Sequence, residues 1–326
     1  MRLLILTLTI LLLLAVAASL LAGRVWIAPQ NIFSGNSLAV LIVSDIRAPR
    51  TILALAMGAT LGLSGAVLQG LTRNPLAEPG LLGVSTGAAL GAVIAIYFGV
   101  TALSSVAGPL FGLLGALAAC SLTFLLGSGG APGRGGTIAL ILAGAAVSSL
   151  TAAGIALALN FAPNPYAAYE IMNWLLGSLA DKSWVQVWLV LPFVIIGCGL
   201  LATTGRALDA LSLGEAQAES LGISMSHLRF TIIAGVALAV GAATSVTGAI
   251  GFIGLVAPHL ARPFAGQQPS RILLPATLGG ALLLLVADIS VRTIHLGPEI
   301  KLGVFTSLIG TPFFFWLVLR LPRKSP

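Results

Sequence analysis

The chain has 326 residues, of which 58% are apolar and 8% charged, with a net charge of +7 and a mean hydropathy of +1.07. A soluble domain carries about a quarter charged residues, so this composition excludes one. Nucleic-acid binding is also excluded, because no cluster of lysine and arginine has interleaved aromatic residues. Since backbone polar groups in lipid must be satisfied within each segment, the sequence predicts an all-α polytopic membrane protein.

Ten apolar runs recur along the chain, and each is a candidate membrane crossing. They cover residues 3–22, 51–71, 81–99, 102–127, 137–160, 184–204, 230–248, 250–264, 272–294 and 301–321. The stretch 230–264 is too long for one span and short for two, so we expect a full helix and a short one, broken at Gly248, Gly251 and Gly254. The first run could be a signal peptide, but its length favours a retained helix.

The distribution of basic residues favours cytoplasmic placement of both termini. With the N-terminus inside, ten of the 16 lysines and arginines fall on cytoplasmic segments and six on outer ones, as the positive-inside rule requires. Three of the outer six are Arg47, Arg50 and Arg292, which stand against that bias. Snorkelling at the interface would explain a lone arginine, whereas a partner that carries carboxylates would explain all three.

The same arginines lie at the ends of predicted helices. Arg47 and Arg50 are three residues apart and share a helix face, with Pro49 suited to the first turn. Arg292 follows Asp288 by four residues, which also places the two on one face. Asp288 is deep enough in its run to need a partner, so we expect a local ion pair with Arg292; a proton-relay carboxylate is the alternative.

Residues 74–80, with the sequence NPLAEPG, follow the second run. The two prolines and the glycine prevent a continuous helix. Irregular backbone at membrane depth is tolerated only against protein or a water-filled cavity. The loop is therefore predicted either to line a passage or to be a structural turn between helices.

Two connecting segments are predicted to be more than loops. Residues 163–180, on the outer side, are typical of a short interfacial helix with Trp174 at headgroup level. Residues 208–229, on the cytoplasmic side, are hydrophilic and predict two small helices with a turn. Within them Glu215 and Glu219 form a like-charge pair four residues apart, which a cationic partner would relieve; a solvated charged loop is the alternative.

The sequence offers no catalytic, metal or cofactor site. No phosphate-binding Gly-x-x-x-x-Gly-Lys-[Ser/Thr] loop is present, so we expect no ATPase site in this chain. The three histidines lack the spacing of metal ligands. Cys120 and Cys198 lie in apolar runs, as packing residues do. We therefore expect that the chain is not an enzyme and binds no metal or cofactor.

From the second run onward the sequence resembles the FecCD-type permeases of binding-protein-dependent ABC importers, which carry iron-siderophores, haem or vitamin B12. The likeness extends over nearly the whole chain, in matching order and spacing. It rests on Arg47-Ala-Pro-Arg50, SGAVLQ at 64–69, NPLAEPGLLGVS at 74–85, Leu213-Gly-Glu, AESLG at 218–222, GFIGLVAPH at 251–259, Ala287-Asp-Ile, Arg292 and Gly310-Thr-Pro-Phe.

The resemblance implies a type II ABC importer permease, with residues 1–326 as a single transmembrane domain in a bacterial inner membrane. It implies a homodimer, two ABC ATPase subunits, a periplasmic binding protein and alternating access, with a metal chelate as cargo. Membrane lipid would surround it. The rival interpretation is an ion-coupled secondary transporter, for which Asp288 is the one acid found in the middle of a crossing.

The resemblance also implies roles for particular residues, carried over position by position. Docking of the binding protein would involve Arg47, Arg50 and Arg292. The cytoplasmic gate would involve Asn74, Leu76 and Thr137. Coupling to the ATPase would involve Leu213, Gly214, Glu215, Ala218, Glu219, Leu221 and Gly222.

Overall fold

The computed structural model describes residues 1–33, 37–127, 136–294 and 299–320, and throughout these ranges the regular structure is helical. The helices are α1 (Arg2–Leu21), α2 (Pro29–Phe33), α3 (Ser37–Leu41), α4 (Ala48–Thr72), α5 (Val84–Tyr97), α6 (Ala107–Gly127), α7 (Thr137–Asn160), α8 (Pro165–Leu175), α9 (Trp184–Thr203), α10 (Gly205–Leu211), α11 (Glu215–Ser220), α12 (Met225–Thr247), α13 (Ile253–Ala265), α14 (Pro269–Thr293) and α15 (Leu302–Arg320). A π-helical turn, Ile42–Arg47, joins α3 to α4, and a 3₁₀ turn, Pro79–Leu82, precedes α5.

Seven helical stretches in the described part of the chain are long and apolar enough to cross a membrane, and Val84–Tyr97 and Leu302–Leu317 are shorter apolar helices. Each of the ten predicted runs contains one helix, although α13 has only 13 residues. The prediction of an all-α polytopic membrane protein is confirmed, with ten as an approximate number of crossings.

The core is built around α4 and α12. In an apolar stretch of 18 residues ending or lying in each of these helices, 78% of the residues are buried within the chain. The corresponding share for α1 is 6%. α4 and α14 form the most extensive helix contact in the described part of the chain, and small residues let their backbones meet. Gly62 of α4 lies against Ala276 and Gly280 of α14, where an added Cβ would overlap the Ala276 carbonyl oxygen.

The predicted break between the seventh and eighth runs is present, with one correction. α12 ends at Thr247, and Gly248 adopts a positive φ of 71° that glycine tolerates. Phe252, also at positive φ, precedes α13. Gly254 was expected to break the helix, but it lies in the first turn of α13, where it packs against Pro79 and the backbone of Leu61.

The two predicted connecting segments contain short helices. α8 lies within residues 163–180, and the side chain of Asn164 caps it by accepting a hydrogen bond from the Ala167 N–H at 2.9 Å. α10 begins at Gly205, three residues before the predicted segment 208–229, and α11 lies within it. A turn at residues 212–214 joins the two helices.

Asp209 of α10 fastens this segment to the start of α14. Its carboxylate accepts hydrogen bonds from the Ser270 N–H at 2.8 Å and from Gln268 Nε2 at 2.7 Å, so it satisfies a first-turn donor of α14. Burial alone would raise the pKa of Asp209. The hydrogen bonds from Ser270 and Gln268, with the charge of Arg271, outweigh it and lower that pKa.

Replacing Asp209 with asparagine should therefore remove a pH-dependent part of the stability. Because the folded pKa is depressed, the stabilisation is present above the unfolded carboxyl pKa of about 4 and is lost as pH falls through the folded value. The melting temperature of D209N in detergent should lie below wild type at pH 7, and the gap should close under acid conditions. A gap that stays constant with pH would contradict the capping role.

Candidate functional site

Three arginines and two carboxylates meet where α4 begins and α14 ends. We call Arg47, Arg50, Asp288, Arg292 and Glu299 the arginine cluster. Arg47 ends the π-helical turn, Arg50 lies in the first turn of α4, and Arg292 lies in the last turn of α14. The structure thus places all three arginines of the predicted docking set in one region.

Asp288 is the centre of the arginine cluster and is fully buried. Its Oδ1 lies 2.9 Å from Arg50 Nε and 2.8 Å from Arg50 Nη2, and its Oδ2 lies 3.0 Å from Arg292 Nε. The pair with Arg292 is the one expected from the sequence; the pair with Arg50 is additional. An acid held between two guanidinium groups matches the ion-pair interpretation of Asp288, because a buried charge needs compensating partners.

Arg47 and Arg292 bind the carbonyl end of α1. Arg47 donates to the carbonyl oxygens of Leu20 at 3.0 Å and Val25 at 2.6 Å. Arg292 donates to the Ser19 carbonyl at 3.1 Å and to Ser19 Oγ at 2.7 Å. The last carbonyls of a helix lack partners within it and carry partial negative charge. The two arginines therefore join the end of α1 to the core.

The arginine cluster keeps a surplus of positive charge. Arg50 Nη2 also pairs with Glu299, whose side chain is 30% exposed, whereas the three arginine side chains are mostly buried. Three arginines face two carboxylates, and within the described part of the chain Arg47 hydrogen-bonds only to backbone carbonyls. A docking role for Arg47, Arg50 and Arg292 stays a prediction.

The NPLAEPG loop lies at the other end of α4. Asn74 is exposed and its Oδ1 accepts the Leu76 N–H at 2.9 Å, which closes a local turn, while Leu76 is half-buried. The irregular backbone predicted for this loop is present. The gate role predicted for both residues stays a prediction.

Buried polar contacts hold this loop to α4 and α13. Gln69 of α4 donates to the Ala77 carbonyl at 3.3 Å and accepts a hydrogen bond from Arg262 of α13 at 2.6 Å. Glu78 receives a hydrogen bond from the backbone of Phe252. Burial raises the pKa of Glu78, and that hydrogen bond opposes the shift. The loop is thereby fixed to the break before α13.

Thr137, the third predicted gate residue, contacts a predicted coupling residue. Its hydroxyl lies 2.9 Å from Glu215 Oε1 at the start of α11, and Arg229 Nη2 of α12 lies 2.9 Å from Glu215 Oε2. The cation expected to relieve the Glu215–Glu219 repulsion is thus supplied by Arg229 of the same chain. Neither contact could be read from sequence spacing.

The predicted coupling residues form one exposed turn of helix between two glycines. Ala218 is buried, while Leu213 and Leu221 are 65% and 63% exposed, and Glu219 is exposed. Gly214 and Gly222 both have positive φ. We call residues 213–222 the coupling segment. The coupling segment therefore exposes two apolar side chains beside a short charged helix.

An open cavity of about 680 Å³ lies between the end of α8, the break after α12 and one face of α15. The side chains of its wall are apolar apart from two hydroxyl groups, and the sequence analysis predicted no cavity there. It is lined by Leu175, Leu176, Ala249, Gly251, Gly303, Val304, Ser307, Leu308, Thr311 and Pro312. Among the described residues, no group of histidine, cysteine and acidic side chains could hold a metal ion.

Known proteins resemble the chain along its whole length. A model of the FecCD transport family matches residues 11–320. The vitamin B12 import system permease protein BtuC of Salmonella paratyphi A is 38% identical over 98% of this chain and 95% of its own length. The protein of that name from Citrobacter koseri is 37% identical over 97% and 94%.

Two solved structures have a similar fold. One described as an inward-facing conformation of a metal-chelate type ABC transporter superposes with a TM-score of 0.89 at 31% identity, covering 98% of this chain and 100% of the other. PsaBC from Streptococcus pneumoniae shares the fold, with a TM-score of 0.55 at 16% identity over 85% and 92%. The fold is thus that of a type II ABC importer permease, and the chain belongs to the FecCD transport family.

Proposed function

We propose that this chain is the permease subunit of an ABC importer in a bacterial inner membrane. Two copies would form the translocation path, powered by two separate ATPase subunits and supplied by a periplasmic binding protein. The match along the whole chain supports this proposal. ATP hydrolysis belongs to the partner subunits, and no covalent chemistry occurs in this chain.

The observation that carries the proposal is the separation of two candidate contact surfaces along one helix. α4 has 25 residues, which span about 37 Å at 1.5 Å per residue. It begins in the arginine cluster and ends at the NPLAEPG loop. α10 packs on that far end, with Leu208 against Gly70, and leads directly into the coupling segment. One surface would then face each side of the membrane.

In this arrangement both termini are cytoplasmic and the arginine cluster faces outward. Its surplus charge suits carboxylates on a binding protein, because charge-assisted pairs with arginine orient docking and speed encounter. The coupling segment faces the cytoplasm and offers Leu213 and Leu221 to the ATPase.

The open cavity beside α15 supplies one wall of the path in this proposal. A second copy, related by a twofold axis, would supply the opposite wall. The largely apolar lining suits a bulky chelate that must pass without tight binding. We propose metal chelates as the cargo class, with cobalamin included, since the relatives are named for vitamin B12 and for metal chelates.

The coupling role can be tested by replacing Leu213 and Leu221 with serine. Both side chains are exposed, so folding should be unaffected, whereas loss of two central apolar contacts should weaken ATPase binding at least about tenfold. The measurement is co-purification of the ATPase subunits with the tagged permease. Leu103→Ser, an exposed leucine between α5 and α6, is the control. Full ATPase binding by the double variant would contradict this placement.

A further inference from the structure

Glu215 joins the N-terminal ends of three helices. One carboxylate oxygen accepts the hydroxyl of Thr137, the first residue of α7, and the other pairs with Arg229 in the second turn of α12. Glu215 itself begins α11. The carboxylate therefore connects the coupling segment to the start of α7.

The contact is more than a surface ion pair. The side chain of Arg229 is 14% exposed and that of Glu215 is 35% exposed, so water screens them only in part. Hydrogen bonds with an ionised partner are roughly twice as strong as neutral ones. The Thr137 hydroxyl completes a site in which both carboxylate oxygens are bound.

α7 has a second fixed point further along its length. At Gly144 the backbone of α7 meets the carbonyl of Leu81, where a Cβ would overlap it. Seven residues separate Gly144 from Thr137, a distance of about 10 Å along the helix. The first two turns of α7 therefore lie between two contacts: the hydrogen bond from Thr137 to Glu215 and the close backbone contact at Gly144.

The other two predicted gate residues are held by different elements. Asn74 and Leu76 lie in the NPLAEPG loop, which Gln69 and Arg262 fasten to α4 and α13. α7 meets the end of this loop only at Gly144 and Leu81 among the contacts described above, whereas Thr137 is bound to α11. A shift of α11 would therefore move Thr137 about that contact and change its distance from Asn74 and Leu76.

We propose that Glu215 is a positioning residue that makes the start of α7 follow the coupling segment, so that ATPase-driven movement of α11 displaces Thr137 relative to Asn74 and Leu76. This inference rests on the proposed function, which assigns the coupling segment to the ATPase contact, and on the gate role predicted for Asn74, Leu76 and Thr137. The Glu215 carboxylate and the Thr137 hydroxyl would transmit the movement of α11 to α7.

The test uses the full complex of permease, ATPase and binding protein in proteoliposomes, with cobalamin as the probe. Thr137→Val removes the hydroxyl with little change in shape, and Thr137→Ser retains it. We expect T137V and E215Q to lower cobalamin transported per ATP hydrolysed about tenfold, as loss of one charge-assisted hydrogen bond would. The ATPase rate of T137V should persist, since Thr137 lies outside the coupling segment, and T137S should behave as wild type.

Thr203→Val is the matched control, because the Thr203 hydroxyl bonds only within its own helix, to the Leu200 carbonyl. The double variant T137V/E215Q should transport no less per ATP than E215Q alone, since E215Q already removes the charge that strengthens the hydrogen bond from Thr137. Melting temperatures identify any variant that has merely lost stability.

If the wild-type complex transports cobalamin with ATP, either of two results would overturn the inference. One is a T137V complex with the wild-type ratio of transport to hydrolysis. The other is a proportional fall of both rates in T137V and E215Q, which would mean that Glu215 only holds the ATPase. A wild-type complex that shows no ATP-dependent uptake of any metal chelate overturns the proposed function itself.

Discussion

Replacement of Asp288 with asparagine should destabilise the chain more than any other single change considered. In this variant Arg50 keeps only its ion pair with Glu299, and Arg292 loses its ion-pair partner. The side chain at position 288 is fully buried. Breaking a buried ion pair from one side costs about 3–5 kcal/mol. The melting temperature in detergent should fall by roughly 10 °C.

Asp45→Asn provides the matched control, because Asp45 is exposed in the π-helical turn near the arginine cluster. It should melt as wild type does. Removing the stranded cation in D288N/R292Q should recover part of the loss, although Arg292 also holds the end of α1. If D288N melts at the wild-type temperature, Asp288 does not hold the arginine cluster together.

Replacement of Arg47 with glutamine should weaken docking of the binding protein by about tenfold or more, with a smaller loss of stability than D288N causes. Arg47 bonds to the carbonyls of Leu20 and Val25, so its removal leaves no carboxylate without its cation. Arg50 and Arg292 are unsuitable for this test, because both pair with Asp288. Truncating one partner of a close interfacial charge pair costs about 2–5 kcal/mol. The measurement is the Kd of the binding protein for the complex in nanodiscs.

Two further variants sharpen the docking test. Arg24→Gln removes an exposed arginine near the end of α1 and should change the Kd only slightly. Glu299→Gln should tighten binding, because it frees Arg50 from a half-exposed carboxylate of its own chain. If R47Q and R24Q have equal effects and E299Q has none, the arginine cluster does not dock the binding protein.

The fold could be predicted because apolar periodicity and chain breakers are local signals. Ten apolar runs located the helices, and the glycines after Thr247 located the break before α13. Gly254 was misjudged because a glycine that permits close helix packing has the same local signature as one that interrupts a helix. Only the neighbouring Pro79 and Leu61 distinguish the two.

Pairings between distant residues could not be predicted from a single sequence. Arg50 and Asp288 are 238 residues apart, and Thr137 and Glu215 are 78 apart. The Asp288–Arg292 pair was foreseen because a helix places residues four apart on one face. The wall of the cavity was not, because its residues come from α8, α15 and the break after α12, and show no common pattern.

ATP-dependent uptake tests the central claim most directly. Proteoliposomes would contain this chain, its ATPase and its binding protein, and would be supplied with cobalamin, haem or ferric siderophores. The account predicts that uptake of at least one chelate requires ATP hydrolysis and the binding protein and is indifferent to proton or sodium gradients. Uptake that follows an ion gradient and continues without ATP hydrolysis would contradict it and would favour a secondary transporter.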